Sequence, residues 1–408
     1  MAGIYIHIPF CRSRCIYCAF YSTTRLEQRQ RYVDALCQEA RLRAVQAVSG
    51  SSQSKALRAV SGSSQSEALR AVSGSSQGEA LRAVSGSTAD TIYFGGGTPS
   101  QLTAAQLRQL LDTLYNIYKV KTDAEITIEA NPDDITDEYA ATLSQLPVNR
   151  VSMGAQTFDD RRLRFLHRRH TAEQVAQAVS RLRQAGIRNI SIDLMYGFPD
   201  ETMDDWQRDI TCALDLGVEH LSAYCLAIEE GTALYEKVRN RKVKSEDEET
   251  ERQMYYTLID RLTAAGYEHY ELSNFARSDY RSRHNSSYWT GVPYLGLGAA
   301  AHSYDGQHRS WNVSDINRYM AGIENGTPDY DFEPIDGDTR YNDRVMLALR
   351  TADGLDLTTL PDADRKYLIS LASKYLDQGL LHLSQDRLCL TRQSLFVSDM
   401  VISDLMRV

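Results

Sequence analysis

Short apolar stretches alternate with longer amphipathic stretches along most of the chain. Strands are predicted where short runs are rich in β-branched and aromatic residues: GIYIHI, TIYFGG, EITIEA, RVSMGA, NISIDLMYG and HLSAYCLAI. Apolar positions repeating at i, i+3, i+4 and i+7 predict helices at residues 25–45, 103–118, 136–145, 172–185 and 203–216. Strands that alternate with helices form parallel sheets with helical crossovers. We therefore expect an α/β fold, built as a partial (β/α)6 barrel.

The pattern changes after residue 240. The stretch SEDEETERQMYYTLIDRLTAAG predicts a charged helix ending at Gly266, and an aromatic-rich region follows it. Residues 326–340 are rich in Pro, Gly and acidic side chains, as linkers are. The chain is therefore divided into a barrel at 1–240, a barrel extension at 241–325, a linker at 326–340 and a small C-terminal domain at 341–408. That last domain is expected to be α+β and winged-helix-like, with a hairpin around LLHLSQDRLCL.

A repeat interrupts the barrel region between residues 47 and 88. A unit of twelve recurs there as AVSGSSQSKALR, AVSGSSQSEALR and AVSGSSQGEALR, and then as the truncated AVSGST. Each unit offers only Val and Leu as sizeable apolar side chains, which is too little to bury against a neighbouring unit. We interpret residues 46–88 as a low-complexity insertion, mobile or marginally helical, and assign it no chemistry.

Composition narrows the class of protein. With 408 residues, 42% hydrophobic and 24% charged, the chain is typical of a globular protein of more than one domain. The net charge of −9 gives no reason to expect nucleic-acid binding, which usually depends on an excess of basic residues. Outside residues 11–18 the cysteines are scattered singly, which favours a reducing compartment. The sequence shows no signal peptide and no apolar run of the roughly 20 residues that a membrane span needs, so we expect a cytoplasmic protein.

Polar or special residues stand at successive predicted strand ends. Three cysteines follow the first strand, the run Gly95–Gly96–Gly97–Thr98 follows the second, and Glu129 and Gln156 end the third and fourth. Asp193 lies in the fifth. Ligand sites of parallel α/β folds collect at these ends, so the residues predict one site. A glycine run lets the backbone approach a ligand closely, although it also suits a tight strand-to-helix turn. Without a GK[ST] ending it is not a phosphate-binding P-loop.

The stretch FCRSRCIYCAF carries the most specific chemistry. Cys11, Cys15 and Cys18 are too few for a closed four-ligand zinc site and odd in number for a disulfide framework. Three thiolates can hold three corners of a [4Fe–4S] cluster, for which four cysteines are the usual complement. One iron is then left open to bind something else.

This C-x3-C-x2-C spacing, with Tyr17 before the third cysteine, resembles the radical S-adenosylmethionine (SAM) superfamily. In order, YIHIPFCRSRCIYC, FGGGTP, IEANP, MGAQTF, DLMYGFP and LGLGAAAHS resemble the branch that contains oxygen-independent coproporphyrinogen III oxidase and the HemW-type heme chaperones. The resemblance implies that Cys11, Cys15 and Cys18 bind the cluster, whose open iron is chelated by SAM. It places these further residues near SAM: Tyr5, Tyr17, Gly96, Gly97, Thr98, Glu129, Gln156, Arg168 and Asp193. The sequence alone does not single out Arg168, which is also explained as an ordinary surface charge in the basic run HRRH.

Three features separate the two families of this branch. The oxidases have a fourth cysteine two residues after the third, where this chain has Phe20, and a substantial segment before the cluster motif, where this chain has ten residues. HNSSYW matches the H-N-x-x-Y-W pattern of the heme chaperones, which implies heme contacts by His284, Asn285, Tyr288 and Trp289. The alternative is an aromatic packing corner with a hydrogen-bonded His284. His302 is a rival candidate for the heme ligand.

The resemblance therefore implies a heme chaperone that binds heme, a [4Fe–4S] cluster and SAM. It would deliver heme to acceptor proteins, membrane-bound ones included, and form a homodimer. The alternative is a radical SAM oxidase that decarboxylates the propionates of coproporphyrinogen III. Productive cleavage of SAM, and hence enzyme activity, stays open at this point.

Overall fold

The computed structural model of the protein describes residues 3–49 and 88–407, so nearly all of the predicted repeat insertion lies outside the described residues. The chain divides into two compact units. Unit 1 comprises Met1–Arg14, Phe20–Arg150 and Pro293–Pro334. Unit 2 comprises Cys15–Ala19, Val151–Val292 and Ile335–Val408. None of the described helices is long and apolar enough to cross a membrane.

The strands are β1 (Gly3–Ile8), β2 (Thr88–Gly96), β3 (Lys119–Ala130), β4 (Arg150–Gln156), β5 (Asn189–Tyr196), β6 (His220–Cys225), β7 (Glu268–Glu271), β8 (Asn274–Ala276), β9 (Tyr294–Leu297), β10 (His302–Tyr304), β11 (His308–Asn312), β12 (Tyr330–Pro334), β13 (Leu355–Asp356), β14 (Leu381–Ser384) and β15 (Arg387–Leu390). The helices are α1 (Arg29–Ser49), α2 (Ala104–Ile117), α3 (Asp137–Ser144), α4 (Asp160–Phe165), α5 (Ala172–Gln184), α6 (Met203–Asp215), α7 (Ala233–Arg239), α8 (Glu248–Ala264), α9 (Arg283–Trp289), α10 (Ile316–Glu324), α11 (Gly337–Leu349), α12 (Asp362–Asp377) and α13 (Ser398–Ser403).

In unit 1 the strands lie in the order β12-β11-β10-β9-β1-β2-β3. β1 pairs in parallel with β2 and β9, and β2 pairs in parallel with β3. The strand pairs β9-β10, β10-β11 and β11-β12 are antiparallel. Ile4, Ile6 and Ile8 are fully buried on one face of β1, so Tyr5 and His7 point to the opposite face. This alternation places polar side chains at the carboxyl ends of parallel strands.

In unit 2 the strands lie in the order β4-β5-β6-β8-β7. β5 and β6 are parallel, and β8 is antiparallel to both β6 and β7. The helix α6 begins at a capping box in which Thr202 and Asp205 bond each other's backbone N–H groups. Its Trp206 is fully buried and donates to the Met254 carbonyl at 2.9 Å. The Trp206 ring also packs against the ring of Tyr196, with 5.3 Å between their centroids, at the end of β5, where a loop of the candidate site begins.

The C-terminal part of unit 2 forms its own small core. A sheet in the order β13-β15-β14 carries Leu355, Leu381 and Leu388 on its buried side. Helices α11, α12 and α13 cover this side with Val345, Leu368 and Val401 among others, all three fully buried. The hairpin predicted at LLHLSQDRLCL is β14 and β15. Helices packed on a small antiparallel hairpin are the α+β arrangement expected from the sequence.

The predicted elements agree with the structure, apart from small differences at their ends. Each of the predicted strands overlaps one of β1–β6, of which β2 and β3 begin earlier than predicted, and α1, α2, α3, α5 and α6 occupy the predicted helical stretches. The segment 326–340 differs from the linker expected there, because Tyr330–Pro334 forms β12 in register with β11. Tyr330 and Phe332 favour extended backbone, a preference that the surrounding Pro, Gly and acidic residues conceal in the sequence.

Candidate functional site

The carboxyl end of β1 carries a hydrogen-bonded pair of side chains in unit 1. The Tyr5 hydroxyl lies 3.2 Å from Nδ1 of His7, and Nε2 of His7 lies 3.0 Å from the Tyr21 carbonyl. Burial lowers the pKa of His7 to about 4, so its ring is neutral at physiological pH. Sequence reasoning selected Tyr5 but missed His7. The alternation of Ile4, Ile6 and Ile8 with these residues was the signal that could have found it.

The glycine run fits against β1. The Gly97 N–H donates to the Ile8 carbonyl at 2.9 Å. A Cβ atom on Gly97 would lie 2.7 Å from the Pro9 carbonyl carbon, and one on Gly96 would lie 2.6 Å from the His7 ring. Gly96 also has a φ of +109°, which other residues rarely adopt. Close approach to the His7 ring explains Gly96 and close approach to the Pro9 backbone explains Gly97, in addition to any contact with a ligand.

Glu129 and Thr98 complete the candidate residues of unit 1. One oxygen of Glu129 accepts from the Tyr93 hydroxyl at 2.8 Å, and the other accepts from the Gly96 N–H at 3.1 Å. The Thr98 hydroxyl lies 3.4 Å from the Cys11 sulfur. Unit 1 thus brings together Cys11, Tyr5, the glycine run, Thr98 and Glu129 at the ends of β1, β2 and β3. The Glu129 carboxylate is an anionic acceptor suited to an amine or a ribose hydroxyl.

The short segment Cys15–Ala19 belongs to unit 2 and is anchored by Ile16. The Ile16 N–H donates to the Leu166 carbonyl at 3.2 Å, and the Leu234 N–H donates to the Ile16 carbonyl at 2.8 Å. The Ile16 side chain is 2% exposed and packs with Leu166, Phe198 and Leu234. A single apolar residue between two cysteines therefore holds the loop that presents their sulfurs.

Arg168 connects this loop to β4. Its Nη2 donates to the Gly154 carbonyl at 2.7 Å, and its Nη1 lies 3.7 Å from the Cys15 sulfur. Gly154 has a packing reason of its own, since a Cβ there would lie 2.6 Å from the Gln156 amide nitrogen and 3.0 Å from Arg168 Nη2. Arg168 therefore contacts both β4 and the cysteine loop, and it is not simply a surface charge. Gly154 is a site residue that sequence reasoning missed.

Three more candidate residues lie in unit 2. Gln156 ends β4 with a φ of +67°, a left-handed conformation that is uncommon outside glycine. Asp193 in β5 has Oδ1 3.5 Å from the Ser152 hydroxyl on β4. Tyr17 is half-buried, and burial raises the pKa of its phenol well above the usual range, although the nearby Arg168 charge opposes this shift. Unit 2 thus brings Cys15, Tyr17, Gln156, Arg168 and Asp193 to the ends of β4 and β5.

The three thiols of the motif have the character that an iron–sulfur cluster requires. Cys11, Cys15 and Cys18 are half-buried and free of disulfides. The Cys11 and Cys15 sulfurs lie near hydroxyl and guanidinium groups that can donate hydrogen bonds, which are among the protein's means of tuning such a cluster. Within residues 3–49 and 88–407, no group of three or more His, Cys, Asp or Glu side chains is arranged to hold a metal ion. By their chemistry, three free thiols near hydrogen-bond donors fit a cluster.

The residues of HNSSYW form the short helix α9 in unit 2, capped by Ser282. His284 is 1% exposed, and its Nε2 lies 2.8 Å from the Tyr288 hydroxyl. The Trp289 indole N–H is buried and has no hydrogen-bond partner in the described part of the chain, while the Arg350 guanidinium lies 5.8 Å from the Trp289 ring. The helix is thus an aromatic element that buries His284 and leaves Tyr288 and Trp289 half-buried. His302, the rival heme ligand, is exposed on β10 in unit 1 and stacks on Trp311.

Two protein families match this sequence. Residues 76–213 match the radical SAM superfamily, and residues 335–397 match the HemN C-terminal domain. The chain is 33% identical to the heme chaperone HemW of Mycobacterium tuberculosis, over 99% of this chain and 94% of that protein. It is 32% identical to the heme chaperone HemW of Bacillus subtilis, over 96% of each.

The fold resembles that of a solved radical SAM structure. Coproporphyrinogen III oxidase (HemN) from Escherichia coli superposes with a TM-score of 0.78 over 99% of this chain and 90% of that one, at 22% identity. Identity this low shows the fold alone. Together with the two family matches, this superposition confirms the expected α/β fold of the radical SAM type, with a mixed sheet and a HemN-like C-terminal domain.

Proposed function

Because the chain belongs to the HemW family within the radical SAM superfamily, we propose that it is a heme chaperone. It binds heme together with a [4Fe–4S] cluster and SAM and passes the heme to acceptor proteins. The observation that carries this proposal is the near-complete similarity to HemW proteins, which spans 99% of the chain at 33% identity. The exposed Phe20 supports it, because it stands where the resemblance places the fourth cysteine of the oxidases.

Radical SAM proteins use a [4Fe–4S] cluster and SAM as cofactors, and this chain has the residues for both. We assign Cys11, Cys15 and Cys18 as cluster ligands, which leaves one iron open to SAM. In unit 1, we assign Glu129 and the backbone of the glycine run as SAM contacts. In unit 2, Arg168 provides a cation for a carboxylate. Gln156 and Asp193 add polar groups from the neighbouring strand ends.

We assign heme contacts to His284, Asn285, Tyr288 and Trp289 on α9. The aromatic rings of Tyr288 and Trp289 offer apolar surface to a macrocycle. Coordination of heme iron by His284 Nε2 requires its contact with the Tyr288 hydroxyl to break, because that nitrogen is buried and occupied. Heme binding at α9 is therefore expected to move Tyr288.

The test uses the full-length protein with an anaerobically reconstituted cluster. Heme is titrated by absorbance, and a parallel assay supplies coproporphyrinogen III, SAM and reductant. Saturable heme binding with no decarboxylated product supports the chaperone. Catalytic formation of protoporphyrinogen IX would overturn it in favour of the oxidase.

A conservative variant locates the heme. Tyr288→Phe keeps the ring and removes the hydroxyl that holds His284, so it is expected to change heme affinity or the absorbance of the bound iron while the fold is kept. Tyr280→Phe, in the loop before α9, is the matched control. Equal titrations for the wild type and both variants would exclude the His284–Tyr288 pair as a heme contact.

A further inference from the structure

A basic cavity of about 760 Å³ lies within unit 2 and has no role in the site described above. It is built from the first helix after β4, the loop after β5 and the segment that follows α7. In parallel α/β folds, ligands bind beside the segments that follow the strands. A volume of this size lies in the range of about 300–1,000 Å³ that is usual for small-molecule sites. Its position and its volume both indicate a ligand site.

Five basic side chains line the cavity against one acidic side chain, Asp200. Two of the basic groups are already paired: Arg162 lies 2.7 Å from Asp205 and Arg161 lies 2.8 Å from Asp159. The others are Arg241, Lys242 and Lys244, all of which are exposed. None of these three has an ion-pair partner among residues 3–49 and 88–407. The cavity therefore presents cations that nothing described in the protein neutralises.

The floor of the cavity is apolar and is shared with the cysteine loop. Phe165, Phe198 and Val238 line the cavity, and the same three side chains belong to or pack on the cluster of apolar residues around Ile16. Ile16 lies between Cys15 and Cys18. A ligand on this floor therefore contacts the residues that hold the cysteine loop in place.

The lining defines the chemistry of the ligand. An inorganic anion would leave the aromatic floor uncovered, and a neutral apolar molecule would leave the cations unpaired. A molecule with a flat apolar body and more than one carboxylate satisfies both surfaces. Arg and Lys bind carboxylates through charge-assisted hydrogen bonds, and their long side chains reach such groups at a cavity rim.

We propose that this cavity binds a carboxylated porphyrin, with its carboxylates on Arg241, Lys242 and Lys244 and its ring against Phe165 and Phe198. Under the function proposed above, the porphyrin is heme, and the inference rests on that function. The cavity is then a second heme site, apart from the heme contacts assigned to α9. The cavity recognises the propionates of the ligand and not its iron. Porphyrins without iron are therefore expected to bind here as well.

The experiment measures affinity for protoporphyrin IX by fluorescence and for heme by absorbance, each compared with its dimethyl ester. The variant Arg241→Gln/Lys242→Gln/Lys244→Gln removes the exposed cations without disturbing buried residues. We expect it to weaken binding of protoporphyrin IX by tenfold or more, to lower the number of hemes bound from two to one, and to leave binding of the esters unchanged. The wild type should prefer the acids over the esters by a similar factor.

Two further variants sharpen the test. Lys237→Gln/Arg239→Gln removes two cations from α7, next to the cavity in sequence but outside its lining, and is expected to bind porphyrins as the wild type does. Val243→Asp places a carboxylate in the lining and should weaken acid binding most. An unchanged preference for acids over esters in the triple variant would overturn the proposal.

The outcomes also separate this inference from the proposed function. If the wild type binds heme saturably but the triple variant binds the same number of hemes with the same affinity, the cavity is not a porphyrin site and the chaperone stands. If the wild type binds neither heme nor protoporphyrin IX, both the chaperone and the cavity proposal fail.

Discussion

The guanidinium of Arg168 lies 3.7 Å from the sulfur of Cys15, although 153 residues separate them in the chain. The contact brings a fixed positive charge to one of the three proposed cluster ligands. Guanidinium N–H groups can donate hydrogen bonds to a cysteine sulfur, and such bonds are among the protein's means of tuning an iron–sulfur cluster. The contact therefore joins the loop after β1 to the segment after α4 for a chemical reason.

Arg168→Lys is expected to weaken SAM binding and cluster loading while the protein stays folded. Lysine keeps the charge but lacks the planar fork that serves the Gly154 carbonyl and the Cys15 sulfur together. Loss of a contact that orients a metal ligand typically costs about 10- to 100-fold in affinity. Iron content after reconstitution and equilibrium dialysis with SAM measure the effect. Arg169→Lys is the neighbouring control, and equal SAM affinity in both variants would contradict the role given to Arg168.

Gly96→Ala is expected to destabilise the protein. A non-glycine residue at this positive φ costs about 1–3 kcal/mol in backbone strain alone. The added Cβ would also meet the His7 ring at 2.6 Å. Urea unfolding monitored by circular dichroism gives the change in free energy. Gly337→Ala is the control, because a Cβ there meets nothing within 4 Å; similar stability of the two variants would show that the contact with His7 relaxes freely.

Glu201→Gln is expected to change how stability depends on pH. Burial raises the pKa of Glu201 from 4.5 to about 7. The folded state therefore holds this proton more tightly than the unfolded state does. The resulting stability is fully present below pH 4.5 and is lost as the pH rises to about 7, an effect on the order of 3 kcal/mol at most.

Glutamine does not titrate, and its carbonyl oxygen can still accept from the backbone N–H groups of Gly197 and Phe198, as the carboxylate does. The variant should match the wild type near pH 5 and be at least as stable near pH 8. Urea unfolding across this range tests the prediction, with the exposed Glu138→Gln as control. Parallel pH profiles for the wild type and Glu201→Gln would show that the raised pKa does not affect stability.

Phe20→Ser is expected to leave both stability and cluster content unchanged. The Phe20 side chain is 74% exposed, and substitutions at such positions usually alter stability by less than about 0.5 kcal/mol. Phe10→Ala is the contrasting variant, because Phe10 is fully buried and its loss should cost about 3–5 kcal/mol. Thermal unfolding and iron content are the measurements. Loss of iron in Phe20→Ser would give this residue a part in the cluster site that its exposure does not indicate.

Local patterns in the sequence determined the elements and the main chemistry. The alternation around Ile4, Ile6 and Ile8 predicted β1, and the spacing of Leu107 and Leu114 predicted α2, because strand and helix periods depend on near neighbours only. The three cysteines predicted an iron–sulfur site because their spacing is a property of eight consecutive residues. The expectation that the carboxyl ends of parallel strands lie at one edge correctly predicted that Glu129 lies beside Gly96.

Tertiary structure decided what depends on residues far apart in the chain. The closeness of Gly96 to His7, of Gly154 to Arg168 and of Arg168 to Cys15 cannot be read from local spacing. The burial of His284, the pairing of β12 with β11 and the basic cavity beside Phe198 depend in the same way on packing. Periodicity records which face of an element is buried, but the partner on that face is chosen by how whole elements pack together.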